Sequence, residues 1–137
     1  MNNGHQFNIS LAAWGKKFEG SMDALARQTS QQIALNVVND TPVDTGFLRG
    51  SWQPAIGGSK FRNKPNGDDG GAAVIADVML TAAQMKAGQK FYMMNNANYA
   101  GFVEFGTSRM RARLFVTRNV KRAKSVVSKI ARELGAK

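Results

Sequence analysis

Pro42 divides this chain more sharply than any other residue. Ahead of it, Leu11, Trp14, Phe18, Met22, Leu25, Thr29, Ile33 and Val37 recur three or four residues apart. In a helix that spacing places them on one stripe. The residue before a proline avoids helical geometry, so a long helix over about 11–39 has to stop just before Pro42. Gly15 and Gly20 fall inside it, each costing about 1 kcal/mol relative to alanine, which marks Gly20 as an expected start or bend. Further upstream Phe7, Ile9 and Leu11 alternate, the pattern of a short strand or extended lead-in, behind a flexible arm expected over 1–6.

Beyond the break the signals are short. Thr41-Pro42-Val43-Asp44-Thr45-Gly46 is a turn: proline presets φ, Asp or Thr can accept backbone N–H bonds, and glycine allows positive φ. Phe47–Ile56 reads as a strand, and Pro54 makes it an edge or bulged one. The stretch 57–71, GGSKFRNKPNGDDGG, has five glycines in fifteen residues and no periodicity. A loop of that length in a small domain is disordered or functional. We expect it to order at a subunit or neighbour contact, with Phe61, flanked by Lys60 and Arg62, at its tip. Ala72–Leu80 (AAVIADVML), apolar but for Asp77, reads as a buried-type strand. A helical turn or two over 81–87, closed by Gly88, leads to another strand over 89–95. Residues 98–105 fit a short helix or a strand, ended by Gly106-Thr107.

The last element, over about 113–134, is a helix. Val116, Val120, Ala123, Val127, Ile130 and Leu134 form a narrow stripe, with Arg118, Lys121, Arg122, Lys129 and Arg132 on the opposite side at about 100° per residue. The whole describes one domain over 1–137 of α+β class. A small, mostly antiparallel sheet packs against a long N-terminal helix and a basic C-terminal helix, leaving strand edges open to neighbours.

Charge separates the two ends of the chain. Residues 1–108 are nearly balanced at +1, whereas 109–137 carry +9 of the total +10. Such asymmetry points to an acidic partner, whether nucleic acid, protein or membrane face, or else to a helix face kept basic for solubility. Leu, Ile, Val and Phe make up 30 of 137 residues, little above the range of disordered chains. A modest core is expected, with some surface that needs covering.

Catalytic chemistry finds little to work with. There is no cysteine, which removes disulfides, thiolate metal sites and a cysteine nucleophile. His5 is the only histidine, and no nucleophile triad, phosphate-binding loop or zinc-protease pattern is present. Asp68 and Asp69 suit a solvated turn. Asn66, Asp68 and Asp77 only faintly follow calcium-loop spacing, since Gly70 and Asp77 break the pattern. The expectation is a non-enzyme without metal or cofactor. No basic region followed by an apolar run opens the sequence, so no signal peptide is expected, and no stretch approaches the roughly 18 apolar residues of a membrane span. An amphipathic membrane-surface helix is a weaker reading of the C-terminus, whose apolar side lacks the Trp or Phe that such helices favour.

The densest stretch is 98–115, NYAGFVEFGTSRMRARLF. Glu104 stands among Phe102, Val103 and Phe105, and a buried carboxylate needs compensation. Arg49 and Arg109 are the expected cationic partners; the other reading is an exposed rim acid. Tyr92, Tyr99, Phe102 and Phe105 near arginines suit either core packing or single-stranded nucleic acid, whose bases stack on rings between cations.

Two of these segments together carry a resemblance. Thr41–Gly46, followed by Leu48-Arg49-Gly50-Ser51, resembles a motif of the tail-completion and head-to-tail joining proteins of long-tailed bacteriophages. Tyr99-Ala100-Gly101-Phe102-Val103-Glu104-Phe105-Gly106-Thr107 is similar to that family's second motif, and Ala112 and Phe115 resemble its third. The likeness spans roughly residues 7–134; Leu114 departs from it, where the family often has a proline opening the last helix. The resemblance implies a structural virion protein, not an enzyme. It would form a ring, commonly sixfold, at the head-proximal end of the tail, assembled in the host cytoplasm. Its partners would be further copies of itself and neighbouring neck, tail-terminator or connector proteins, with contact to packaged DNA also open. Asp44, Gly46, Arg49, Glu104 and Gly106 are then structural motif positions. Phe61, Tyr99, Phe102 and Phe105 are candidate oligomer or neck contacts. Arg109, Arg111, Arg113, Arg118, Lys121, Arg122, Lys129 and Arg132 are candidate contacts to an acidic partner or DNA. The alternative is a basic nucleic-acid-binding module that uses the C-terminal helix.

Overall fold

A computed structural model describes the backbone over 3–42, 47–59, 71–97 and 100–135, and side chains in these ranges from Gly20 onward, except that of Phe47. The elements in chain order are α1 (Asn3–Asp40), α2 (Phe47–Gly50), β1 (Trp52–Ile56), α3 (Ala72–Ala82), β2 (Phe91–Asn95), α4 (Ala100–Phe105) and α5 (Phe115–Gly135). The class is α+β, as the sequence predicts. The sheet is smaller than expected, a single antiparallel pair with Trp52 opposite Asn95 and Ile56 opposite Phe91.

α1 rises about 57 Å over its 38 residues at about 1.5 Å each. It runs without a break through Gly15 and Gly20, and it takes in Phe7–Leu11, where a short strand or extended lead-in is expected, as well as residues 3–6 of the expected arm. An alternation of three apolar residues is too short to outweigh a helix that continues on both sides. The C-terminal end is where α1 meets the core. Ala34, Val37 and Val38 are buried there with Leu48, Trp52, Val74, Val78, Ala97 and Phe115.

A second correction concerns α3. Ala72–Leu80 is helical, not a strand. A nearly continuous apolar run looks the same in either state, but Val74, Val78 and Ala82 are the buried residues, and their four-residue spacing is that of one helix face. Gly71 opens the helix at φ 80, lying against the Arg49 side chain so closely that a Cβ would stand 2.8 Å from Arg49 Cδ. The expected strand over 47–56 is helical in its first half, where α2 forms one turn. Pro54 is tolerated in β1 because each strand of a two-stranded sheet is an edge. β2 and the Gly88 turn, with φ 88, follow expectation, and of the two readings of 98–105 the described residues, 100–105, take the helical one. Most of the glycine-rich loop, 60–70, lies outside the described residues, and Phe61 with it.

Polar side chains fasten the elements. Thr41 Oγ1 donates to Val37 O at 2.6 Å and accepts from Trp52 Nε1 at 2.9 Å. Arg49 Nη2 donates to the carbonyls of Asn39, at 2.8 Å, and Thr41, at 2.9 Å, thereby capping the carbonyl end of α1 with a cation. Asn95 Nδ2 donates to Leu48 O at 2.8 Å, clasping α2 to the sheet. Arg27 Nε donates to Met85 O, and Asp23 Oδ1 accepts from Ala87 N–H, tying the α3–β2 connection to α1. Because Thr41 and Trp52 are both buried, Thr41→Val leaves the indole N–H without its acceptor. We expect a loss of about 1–3 kcal/mol in denaturant unfolding, with the midpoint shifted and the slope unchanged.

Candidate functional site

The stretch that joins α4 to α5 is built as a closed brace. α4 ends at Phe105, and Gly106 follows at φ 79, a conformation open to glycine at little cost. Its N–H donates to Phe102 O at 2.8 Å. The chain then makes a tight turn in which Thr107 N–H donates to Met110 O at 2.9 Å, and doubles back. Arg113 N–H donates to Val103 O at 2.9 Å and Leu114 N–H to Glu104 O at 3.0 Å. Three carbonyls at the end of α4, which a helix leaves without intrahelical partners, are thus satisfied by Gly106 and the returning chain. The close approach leaves no room at Gly106, where a Cβ would lie 2.7 Å from Ala112 N and 2.8 Å from Met110 O.

Glu104 completes the brace from its side chain. It is 5% exposed. Oε1 accepts from Val116 N–H at 2.9 Å, and Oε2 accepts from Thr117 N–H at 2.7 Å and from the Thr117 hydroxyl. The residue ahead of α5 is Leu114, whose carbonyl accepts from Arg118 N–H and whose side chain cannot cap a helix. Glu104 therefore supplies, from another helix, the acceptor that a Ser or Asp ordinarily provides at that end. Its negative charge also sits at the positive end of the helix dipole. Burial pushes the carboxyl up. The Thr117 hydroxyl, the N–H groups of Val116 and Thr117 and the charge of Arg118 outweigh that and hold it below its ordinary value. The ion pair expected with Arg49 or Arg109 is replaced by this helix terminus. Arg49 serves α1, and Arg109 is exposed on the turn, its N–H on Thr107 Oγ1. The expectation that Glu104 is buried holds; the rim-acid reading does not.

Leu114 is the one described non-glycine residue with positive φ, 52. A proline there would be impossible, because its ring holds φ near −65°. Leucine rather than the proline expected at 114 is thus a local requirement of this chain, and α5 begins at Phe115, not at 113.

α5 is also turned from its expected orientation. Its buried residues are Phe115, Asn119 and Ile130, while Val120 is 65% exposed. At about 100° per residue, the buried seam lies roughly 60° from the centre of the apolar stripe. Three contacts explain the rotation. Phe115 meets Trp52 edge to face, with ring centroids 6.4 Å apart. Asn119 Nδ2 donates to Asp40 Oδ2 at 2.9 Å and to Phe115 O at 2.7 Å. Glu104 holds the first turn. Periodicity alone could not reveal Asn119 as a seam residue, since an asparagine does not count toward an apolar stripe.

The turn leaves an apolar cleft of about 420 Å³ between α4 and α5, lined by Trp52, Gly101, Phe105, Phe115, Val116 and Val120 among others. Phe105 and Phe102, at 72% and 60% exposure, stand on α4 beside it. A second exposed apolar surface is the outward side of α3, where Ala72, Ala73, Ala76, Met79, Leu80 and Ala83 are all exposed. The cations Arg109, Arg111, Arg113, Arg118, Lys121, Arg122, Lys129 and Arg132 are exposed without exception. Asp44, Gly46 and Tyr99 lie outside the described residues, as does the side chain of His5. Among the described residues no three acidic or histidine side chains gather as a metal site, and no helix is long and apolar enough to cross a membrane.

No protein-family model, curated protein or solved structure matches this chain.

Proposed function

We propose that this chain is a structural subunit of the neck of a long-tailed bacteriophage. It assembles with copies of itself into a ring, commonly sixfold, that completes the head-proximal end of the tail and joins it to the head. The observation that carries the assembly part is α3. Val74, Val78 and Ala82 fill the core from one side, and the opposite side is apolar as well, with Leu80 68% exposed. Asp77 and Thr81 lie on one flank between these two sides, and a contiguous exposed apolar patch marks an interaction site. An isolated domain gains nothing from exposing that face, whereas a neighbouring subunit covers it. The α3 face and the α4–α5 cleft belong to different elements, as head-to-tail contacts that close into a ring require. The phage part rests on the ordered motifs. Their described residues do mechanical work, with Thr41 and Arg49 ending α1 and Glu104 and Gly106 starting α5.

The test is the mass of the purified protein, alone and with tails that lack their end protein. A defined oligomer, or uptake onto those tails, is expected. Leu80→Lys should abolish it while shifting the unfolding free energy by no more than about 0.5 kcal/mol, as for an exposed position. A monomer that ignores tails would overturn the proposal.

A further inference from the structure

The geometry points to a second activity: the outer ridge of α5 binds the phosphate backbone of duplex nucleic acid. This goes beyond the assembly reading and does not depend on it. Arg118, Lys121, Arg122, Lys129 and Arg132 lie within about 100° of one another around the helix and span about 21 Å along it. All five are exposed, and among the described residues none is hydrogen-bonded to a carboxylate; Arg118 Nε donates to its own helix, at Leu114 O. Ser125, also exposed, lies between them on the same side, small enough not to hold a phosphate off. Duplex DNA carries one charge per about 1.7 Å of axis, so each of the five cations can find its own phosphate along this length.

Other polyanions fit less well. The apolar side of α5 that a membrane would take up is partly covered by the rest of the fold, with Ile130 buried and Val116, Ala123 and Val127 half-buried, and a surface-lying helix needs that side free. A protein partner is usually gripped by a few large side chains seated in well-packed, desolvated pockets, whereas these cations stand exposed along the outside of a helix. Single strands are held by rings between the cations. Among the described residues the exposed rings, Phe102 and Phe105, belong to α4, and Phe105 lines the apolar cleft with Val120. The N-terminus of α5 is not the anion site either, since Glu104 occupies it.

A short labelled duplex of mixed sequence, titrated with the full chain and followed by fluorescence anisotropy, tests this. Five phosphate contacts give a slope of log K on log salt of about −4.5, a loss of about 500-fold in affinity between 50 and 200 mM salt. Arg122→Gln with Lys129→Gln should make the slope shallower by about two and weaken binding. Lys86→Gln with Lys90→Gln removes the same charge from exposed positions off the ridge and should change the slope little. Thermal melts and native mass of both variants report folding and assembly separately from binding. No binding at 50 mM salt overturns the proposal, as does an equal effect of the two double variants. So does preference for a single strand, an acidic polypeptide or anionic vesicles over the duplex.

Discussion

Replacing Gly106 with alanine is expected to cost this protein about 3–4 kcal/mol, from left-handed strain and the backbone overlap together. A side chain at φ 79 is strained whatever surrounds it, and here its Cβ would be pressed to 2.7 Å from Ala112 N and 2.8 Å from Met110 O. Both are backbone atoms that cannot swing aside as a side chain can. The turn would have to open, and with it the bonds from Arg113 and Leu114 that close α4. Gly101, five positions earlier in the same motif, provides the comparison. It lies in α4, and nothing stands within 4 Å of the place a methyl group would take there, so Gly101→Ala should stabilise by about 0.5–1 kcal/mol. Chemical denaturation of the two variants side by side decides this. Equal destabilisation by both would show that the brace does not depend on the tight approach at 106.

Glu104→Gln is the second large effect, about 2–3 kcal/mol, because hydrogen bonds to a charged group are lost. The amide keeps one acceptor oxygen but turns an NH2 group toward a donor, the N–H of Val116 or Thr117. The same change should alter how stability depends on pH. The folded carboxyl titrates below its ordinary value, so the folded state binds the proton less readily than the unfolded chain does. The stabilisation is therefore complete above the ordinary glutamate value, about 4.3, and is lost as pH falls through the lower folded value. The native protein should lose melting temperature across that acidic window. Glu104→Gln should start lower by about 6–10 °C at neutral pH and converge on the native protein in acid. Parallel curves for the two proteins would mean that Glu104 is not the ionised cap.

Much of this was legible in the residues. The long first helix ending at Pro42, the strand around Phe91–Asn95, the turn at Gly106 and the basic last helix each have a local cause: proline geometry, a short run with two aromatics that follows the Gly88 turn, positive φ and a strong 3.6-residue period. Where expectation and structure differ, the reason is local too. Ala72–Leu80 is apolar but for Asp77, and a nearly unbroken apolar run carries little period to separate helix from strand. Its helical state was settled by packing Val74, Val78 and Ala82 against α1 and β1. Phe7, Ile9 and Leu11 carry a period, but over too few residues to resist the helix that enfolds them.

At the site the division is sharper. That Glu104 would be buried and need compensation follows from its apolar neighbours. Its actual partners, the N–H groups of Val116 and Thr117, are backbone atoms, and no residue type announces them. Nothing in the order of residues shows that a carboxylate on one helix will cap another, because only the fold brings the two termini together. The exposure of Val120 and the burial of Asn119 are of the same kind. Local chemistry along the chain determines where helices start, stop and carry charge, through interactions only a few residues long. How far α5 is rotated, which acid holds its end and which apolar face of α3 is left uncovered are decided by contacts between residues distant in the chain, and these exist only once the protein is folded.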